Sequence, residues 1–304
     1  MKALAYTSLI LILFWSCTSA SKSTRSKPLI VATTSILADG IQELVGDQAE
    51  VVALMPAGVD PHLYKASVRD LDLLTQADLV VYHGLYLEGK MTEIFEKLAK
   101  QQVLIDVSKG IQEDQLLRSG PESHSVDPHV WFDILLWSSG LRYASQELQR
   151  WKPSWATTLQ RNTEAYLAQL HDLDQKTKSK VAQLVEQKQV LVTAHDAFAY
   201  FGKAYGLPVY SLQGLSTLSE PGLRDLTELI TIIQTYQVKA IFAEQTISPK
   251  ALQAVARGAA EKNLVVNLAG PLYTDSLDAP NTPAGTYIGM FETNLQLIYS
   301  QLLP

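Results

Sequence analysis

Residues 153–187, PSWATTLQRNTEAYLAQLHDLDQKTKSKVAQLVEQ, contain no glycine and no proline after the first position. Pro153 suits the first turn of a helix, where its missing N–H is not needed. Leu159, Tyr166, Leu170 and Leu173 recur at helical spacing along one face. At 1.5 Å per residue such a helix runs on the order of 50 Å, longer than a domain of this size is wide. It has to bridge two bodies, and because its apolar stripe is not a strict heptad it does not read as a coiled-coil dimer. The chain on either side meets that requirement. Short apolar runs alternate with helical patterns at 29–35, 50–55, 78–84 and 103–108 before the helix, and at 190–195, 208–212, 239–244 and 264–270 after it. Such alternation marks βαβ units and mostly parallel sheets, and 304 residues are long for a single core. The expected fold is α/β, with one lobe at 28–150, a linking helix at 151–188 and a second lobe at 189–304.

The first residues, MKALAYTSLILILFWSC, carry a lysine, an apolar run at 3–15 and then small polar residues. That run is short for a membrane span and right for the core of a secretory signal. Cys17 is the only cysteine, so an intrachain disulfide is excluded. Its place just past the apolar run resembles the lipid-attachment cysteine of bacterial lipoproteins, with Trp15 departing from the usual box. Residues 1–17 read as a signal peptide ending at a lipobox-like cysteine, and 18–27, rich in Ser, Thr and Lys, as a flexible tether. The expectation is an exported protein, periplasmic or on the cell surface, lipid-anchored and monomeric. A net charge of −6 disfavours nucleic acid, which calls for a basic face.

Val-Asp-Pro-His occurs twice, at 59–62 and at 126–129, in a chain with six histidines. Proline fixes its own φ and pushes the preceding aspartate toward extended backbone, so each copy is a stiff turn presenting one imidazole. Ligands of open α/β sheets bind beyond the carboxyl ends of the strands. His62 follows the 50–55 run, His195 ends VLVTAH, and Asp275 follows the 264–270 run in PLYTDSL. His129 lies just before a helical pattern starting near Val130. A cleft between the lobes would gather all four. Three imidazoles and one carboxylate suit Zn2+, with Mn2+ or Fe2+ admissible, whereas Ca2+ or Mg2+ would want oxygen throughout. Nitrogen-rich donors should hold zinc more tightly than manganese in vitro. Asp275 equally fits a turn or cap, with Asp278 in competition. Glu244, ending KAIFAE, is either a cap or a carboxylate orienting a ligand histidine. His83 and His171 fit a strand end and a solvated helix face. His-Glu-x-x-His, glycine-rich phosphate loops and dinucleotide fingerprints are absent, so no catalytic residue is assigned.

The segments GVDPHLYKASVRDLDLLTQADLVVYHGLYLEGKM, DPHVWFD, VLVTAHDAFAYFGKAYGL and PLYTDSL resemble the zinc/manganese solute-binding proteins of bacterial ABC importers, over about residues 28–303. The resemblance implies two Rossmann-like lobes joined by one rigid backbone helix, with a divalent metal between them. It also implies His62, His129, His195 and Asp275 as ligands, and a membrane permease with its ATPase as partners. Members dedicated to zinc often carry a histidine-rich loop before the second ligand, where this chain has only His124. The third ligand, often Glu in manganese-preferring members, is His195 here. The function expected is capture of Zn2+ or Mn2+ for uptake. The rivals are a secreted zinc hydrolase, which needs an open coordination position, and a surface adhesin.

Overall fold

The computed structural model describes residues 25–118 and 125–303, so Cys17, the leader and His124 lie outside the described residues. Two four-stranded parallel sheets stand on either side of one long helix. The first contains β1 (Leu29–Thr34), β2 (Glu50–Met55), β3 (Leu79–Tyr82) and β4 (Val103–Asp106) in the order β2-β1-β3-β4. The second contains β5 (Leu191–Thr193), β6 (Val209–Ser211), β7 (Ala240–Glu244) and β8 (Asn267–Leu272) in the order β6-β5-β7-β8. The two orders match, with a switch point beside the first strand of each lobe. Helices α1 (Ser35–Val45), α2 (Val68–Gln76), α3 (Thr92–Leu98) and α4 (Ile134–Trp151) serve the first lobe. Helices α6 (Ala199–Tyr205), α7 (Leu223–Tyr236), α8 (Lys250–Glu261) and α9 (Tyr287–Leu302) serve the second.

The bridging helix, α5, spans Ala156–Glu186, and its 31 residues make it about 46 Å long. A 3-10 turn at Pro153–Trp155 starts it, which is where the fixed φ of proline is tolerated. It buries Leu159, Tyr166, Leu170, Leu173, Val181 and Leu184. These side chains belong to one continuous apolar cluster that runs from Ile30 and Leu79 of the first lobe to Leu191, Tyr200 and Phe242 of the second. Burial at roughly 25 cal/mol per Å2 therefore acts across the junction, so the linker is part of the core.

One expectation of the sequence shifts. The eighth strand, read at 264–270, begins at Asn267, because pairing with β7 starts where Asn267 N–H reaches Lys239 O at 2.8 Å. Leu264 to Val266 fall outside it, and Val265 is in solvent. As an edge strand β8 tolerates Pro271, whose missing donor would break a central strand. Helix α7 starts at Leu223, past Pro221, with Asp225 accepting the Gly222 N–H at 2.7 Å.

Candidate metal centre

The repeated Asp-Pro-His is used in two ways. After β2, Asp60 Oδ1 accepts the backbone N–H of His62 at 2.8 Å and leaves the imidazole to the loop. Before α4, Asp127 Oδ1 accepts both the backbone N–H of His129, at 2.9 Å, and its Nδ1–H, at 2.7 Å. Asp127 thereby fixes the ring and turns Nε2 inward, as a carboxylate behind a ligand histidine does. His195 stands just past β5. Glu244, closing β7, accepts the backbone N–H groups of Ala194 and His195 at 2.8 and 2.9 Å. Its other oxygen takes the His195 Nδ1–H. Asp275 follows β8, on a segment held by Asn294 through Tyr273 and by Trp131 Nε1–H on Thr274 O at 2.9 Å. Gly58 N–H on Ser276 Oγ, at 2.7 Å, ties that segment to the His62 loop across the cleft.

The four side chains converge, each buried, with one donor atom from each lying within 4.8 Å of all the others. The Nε2 atoms of His62 and His129 are 3.2 Å apart. Asp275 stands 3.4 Å from His195 Nε2, 3.5 Å from His129 Nε2 and 4.0 Å from His62 Nε2. A tetrahedral ion with bonds of about 2.0–2.1 Å needs donors about 3.3–3.4 Å apart. Both Asp275 oxygens and His195 Nε2 are buried without a hydrogen-bond partner. Such groups cost about 1–3 kcal/mol each unless something compensates them. The cluster is also electrostatically frustrated. Burial pulls the His62 imidazole down to about 3, against the attraction of Asp275. Burial alone would lower His195 too, but Glu244 and Asp275 outweigh it and hold that imidazole well above its usual range. Burial would raise Asp275, yet the three imidazoles, His195 foremost, hold it far below an ordinary aspartate.

Asp278, the competitor for Asp275, instead accepts from Ala279 N–H and Tyr273 OH in an exposed turn. His171 is exposed on α5. His83 is buried behind the centre, its ring 4.9 Å from Trp131 and its Nε2 2.8 Å from Thr34 Oγ1. Sequence reasoning missed Asp127. It read the aspartate of each Asp-Pro-His only as an extended residue before proline, although a carboxylate two positions ahead of a histidine can fold back onto it. Trp131, which walls His129 at 5.3 Å between ring centres, gave no signal beyond its hydrophobicity.

Two doubly wound lobes closed over a buried cluster of three imidazoles and a carboxylate form the architecture of a solute receptor. The chain belongs to the ZnuA family, zinc-uptake complex component A periplasmic, whose model matches residues 30–301. The members are receptors of ABC importers and not enzymes. The manganese-binding lipoprotein MntA of Bacillus subtilis is 42% identical over 284 residues, 93% of this chain and 92% of that one. The iron ABC transporter substrate-binding lipoprotein MtsA of Streptococcus pyogenes serotype M1 is 29% identical over 303 residues, 97% of this chain and 95% of that one. The solved periplasmic zinc-binding protein TroA of Treponema pallidum superposes with a TM-score of 0.88 at 38% identity, covering 91% of this chain and all of that one.

Proposed function

We propose that this protein captures Zn2+ or Mn2+ outside the cytoplasm, through His62, His129, His195 and Asp275, and hands it to an ABC-type permease and its ATPase. The observation that carries this reading is the donor geometry: four buried side chains that bring one donor atom each within 4.8 Å of the others, with both Asp275 oxygens and His195 Nε2 unpaired. Neutral imidazoles and a carboxylate replace the water of the ion, and Asp127 and Glu244 hold two of the rings in place. Four protein donors complete the shell and leave no position for a reacting water, so the hydrolase reading has no support. Residues 28–150 and 189–304 act as lobes about the 151–188 link, which is supported by each having its own sheet. The transporter releases the ion by distorting one lobe relative to the other. Cys17 anchors a monomer by lipid; Cys17→Ser should then free the protein from membranes without changing its metal affinity.

The test is elemental analysis of protein purified with minimal handling, beside His129→Ala. One zinc or manganese ion per chain is expected in the wild type and a large loss in the variant. Equal content in both would place the metal elsewhere.

A further inference from the structure

The turn that presents His62, PAGVDPH at 56–62, holds two prolines, which have no N–H with which to fasten it. Its hold on the fold must come from the remaining amides and from Asp60. Inside the turn, Val59 N–H reaches Pro56 O at 3.3 Å and His62 N–H reaches Asp60 Oδ1 at 2.8 Å. Among the described residues, the hydrogen bonds that leave the turn through its backbone or Asp60 run to the second lobe. Gly58 N–H donates to Ser276 Oγ at 2.7 Å, and Asp60 Oδ2 accepts the Thr217 hydroxyl at 2.6 Å. Just past the turn, the first lobe offers the exposed Lys90 Nζ–H on Leu63 O, at 3.4 Å. His129 and His195 have their rings held by Asp127 and Glu244, each inside its own lobe. His62 is the ligand whose chain is pinned from across the cleft. The two pins differ in kind. Ser276 is buried beside Asp275, and its hydroxyl also lies 3.3 Å from Ser35 Oγ of the first lobe. Thr217 sits on residues 212–222 between β6 and α7, a segment without helix or strand that exposes Leu218, Ser219 and Glu220. Its bond to a carboxylate is of the charge-assisted kind, roughly twice as strong as a neutral one.

We propose that Thr217 is a positioning residue that sets how fast the metal leaves, a role that rests on the receptor function proposed above. While its hydroxyl holds Asp60, the His62 turn stays against the ion; withdrawal of the 212–222 segment frees the turn and opens the coordination shell. Thr217 offers the ion no donor and acts through Asp60, which holds the His62 N–H with its other oxygen. The bond closes only when the two lobes have met, so its loss acts on exit of the ion rather than on entry.

The test is stopped-flow kinetics of zinc on the full chain, with release followed into excess EDTA. Thr217→Val keeps the shape and removes the hydroxyl; it should speed release about tenfold, as loss of a hydrogen bond to a charged group does. Association should stay within about twofold of wild type, since such changes fall mainly on dissociation. Thr217→Ser, which keeps the hydroxyl, should release zinc at the wild-type rate. In an Asp60→Ala background, Thr217→Val should add less than about twofold, because the two side chains act as one pair. Wild-type release from Thr217→Val, equally fast release from Thr217→Ser, or a full effect without Asp60 overturns the proposal. So does a fall in the association rate that matches the rise in release. Independently of any metal, hydrogen exchange of the Gly58 and His62 amides in metal-free protein should quicken several-fold in Thr217→Val and stay at the wild-type rate in Thr217→Ser. Equal exchange in all three proteins overturns the pin. Should wild-type protein bind no zinc, the receptor reading fails, while the exchange experiment still decides whether Thr217 holds the turn.

Discussion

His129 and His195 show what a second carboxylate does for a ligand, since Asp127 and Glu244 each take an Nδ1–H and aim an Nε2 inward. Asp127→Asn keeps the shape and removes the charge; metal affinity should fall about 10–100-fold by calorimetric titration, with little loss of stability. An unchanged affinity would make Asp127 a structural residue only. The protonation states set the pH dependence. Three ordinary imidazoles with pKa near 6.5 would release several protons on binding below roughly pH 6. Here burial keeps His62 neutral down to about 3, so it holds no proton for the metal to displace. His195 is raised, by Glu244 and Asp275 against burial, and is charged in the metal-free protein at neutral pH. A metal therefore displaces the His195 proton, and affinity should fall about tenfold for each pH unit lost below that pKa. Calorimetry at pH 7.5 in buffers of differing ionisation enthalpy should show about one proton released per ion. Release near zero would contradict the charged His195.

Among the elements, α5 decides how the lobes move. It has no internal glycine or proline and buries a stripe along its length, so it lacks the residues that absorb a hinge rotation. Metal addition should accordingly change the radius of gyration in solution scattering very little; marked compaction would show that the lobes hinge elsewhere. Leu170 is fully buried on this helix. Leu170→Ala should cost roughly 2–5 kcal/mol by denaturant unfolding and leave metal affinity within a few-fold, because Leu170 offers the ion no donor. At this scale the first half of the apolar stripe, Leu159 to Leu173, was legible because helix periodicity is local, whereas Val181 and Leu184 were not singled out. The start of β8 was not, because Leu264, Val265 and Val266 have strand propensity and only pairing with β7 selects Asn267 onward.

In the whole molecule, one apolar cluster joins both lobes through α5, so unfolding should be a single cooperative transition rather than two. An ion at a thousand times its Kd should add about 4 kcal/mol and raise Tm by about 5–10 °C in calorimetry. Two resolved transitions would mean that the lobes fold separately. What the chain by itself determined is the order of its strands, the long helix, the stiff Asp-Pro-His turns and the donor types at His62, His129, His195 and Asp275. Each of these depends on spacing and conformational preference over a few residues, which a sequence states directly. Only the tertiary structure decided that the four donors meet within 4.8 Å of one another, with Asp275 rather than Asp278 among them. It alone decided that Asp127 backs His129 while Asp60 leaves the His62 ring unsupported. The physical reason is that contact distance, desolvation and charge pairing depend on how separate segments pack, and no run of neighbouring residues encodes that alone.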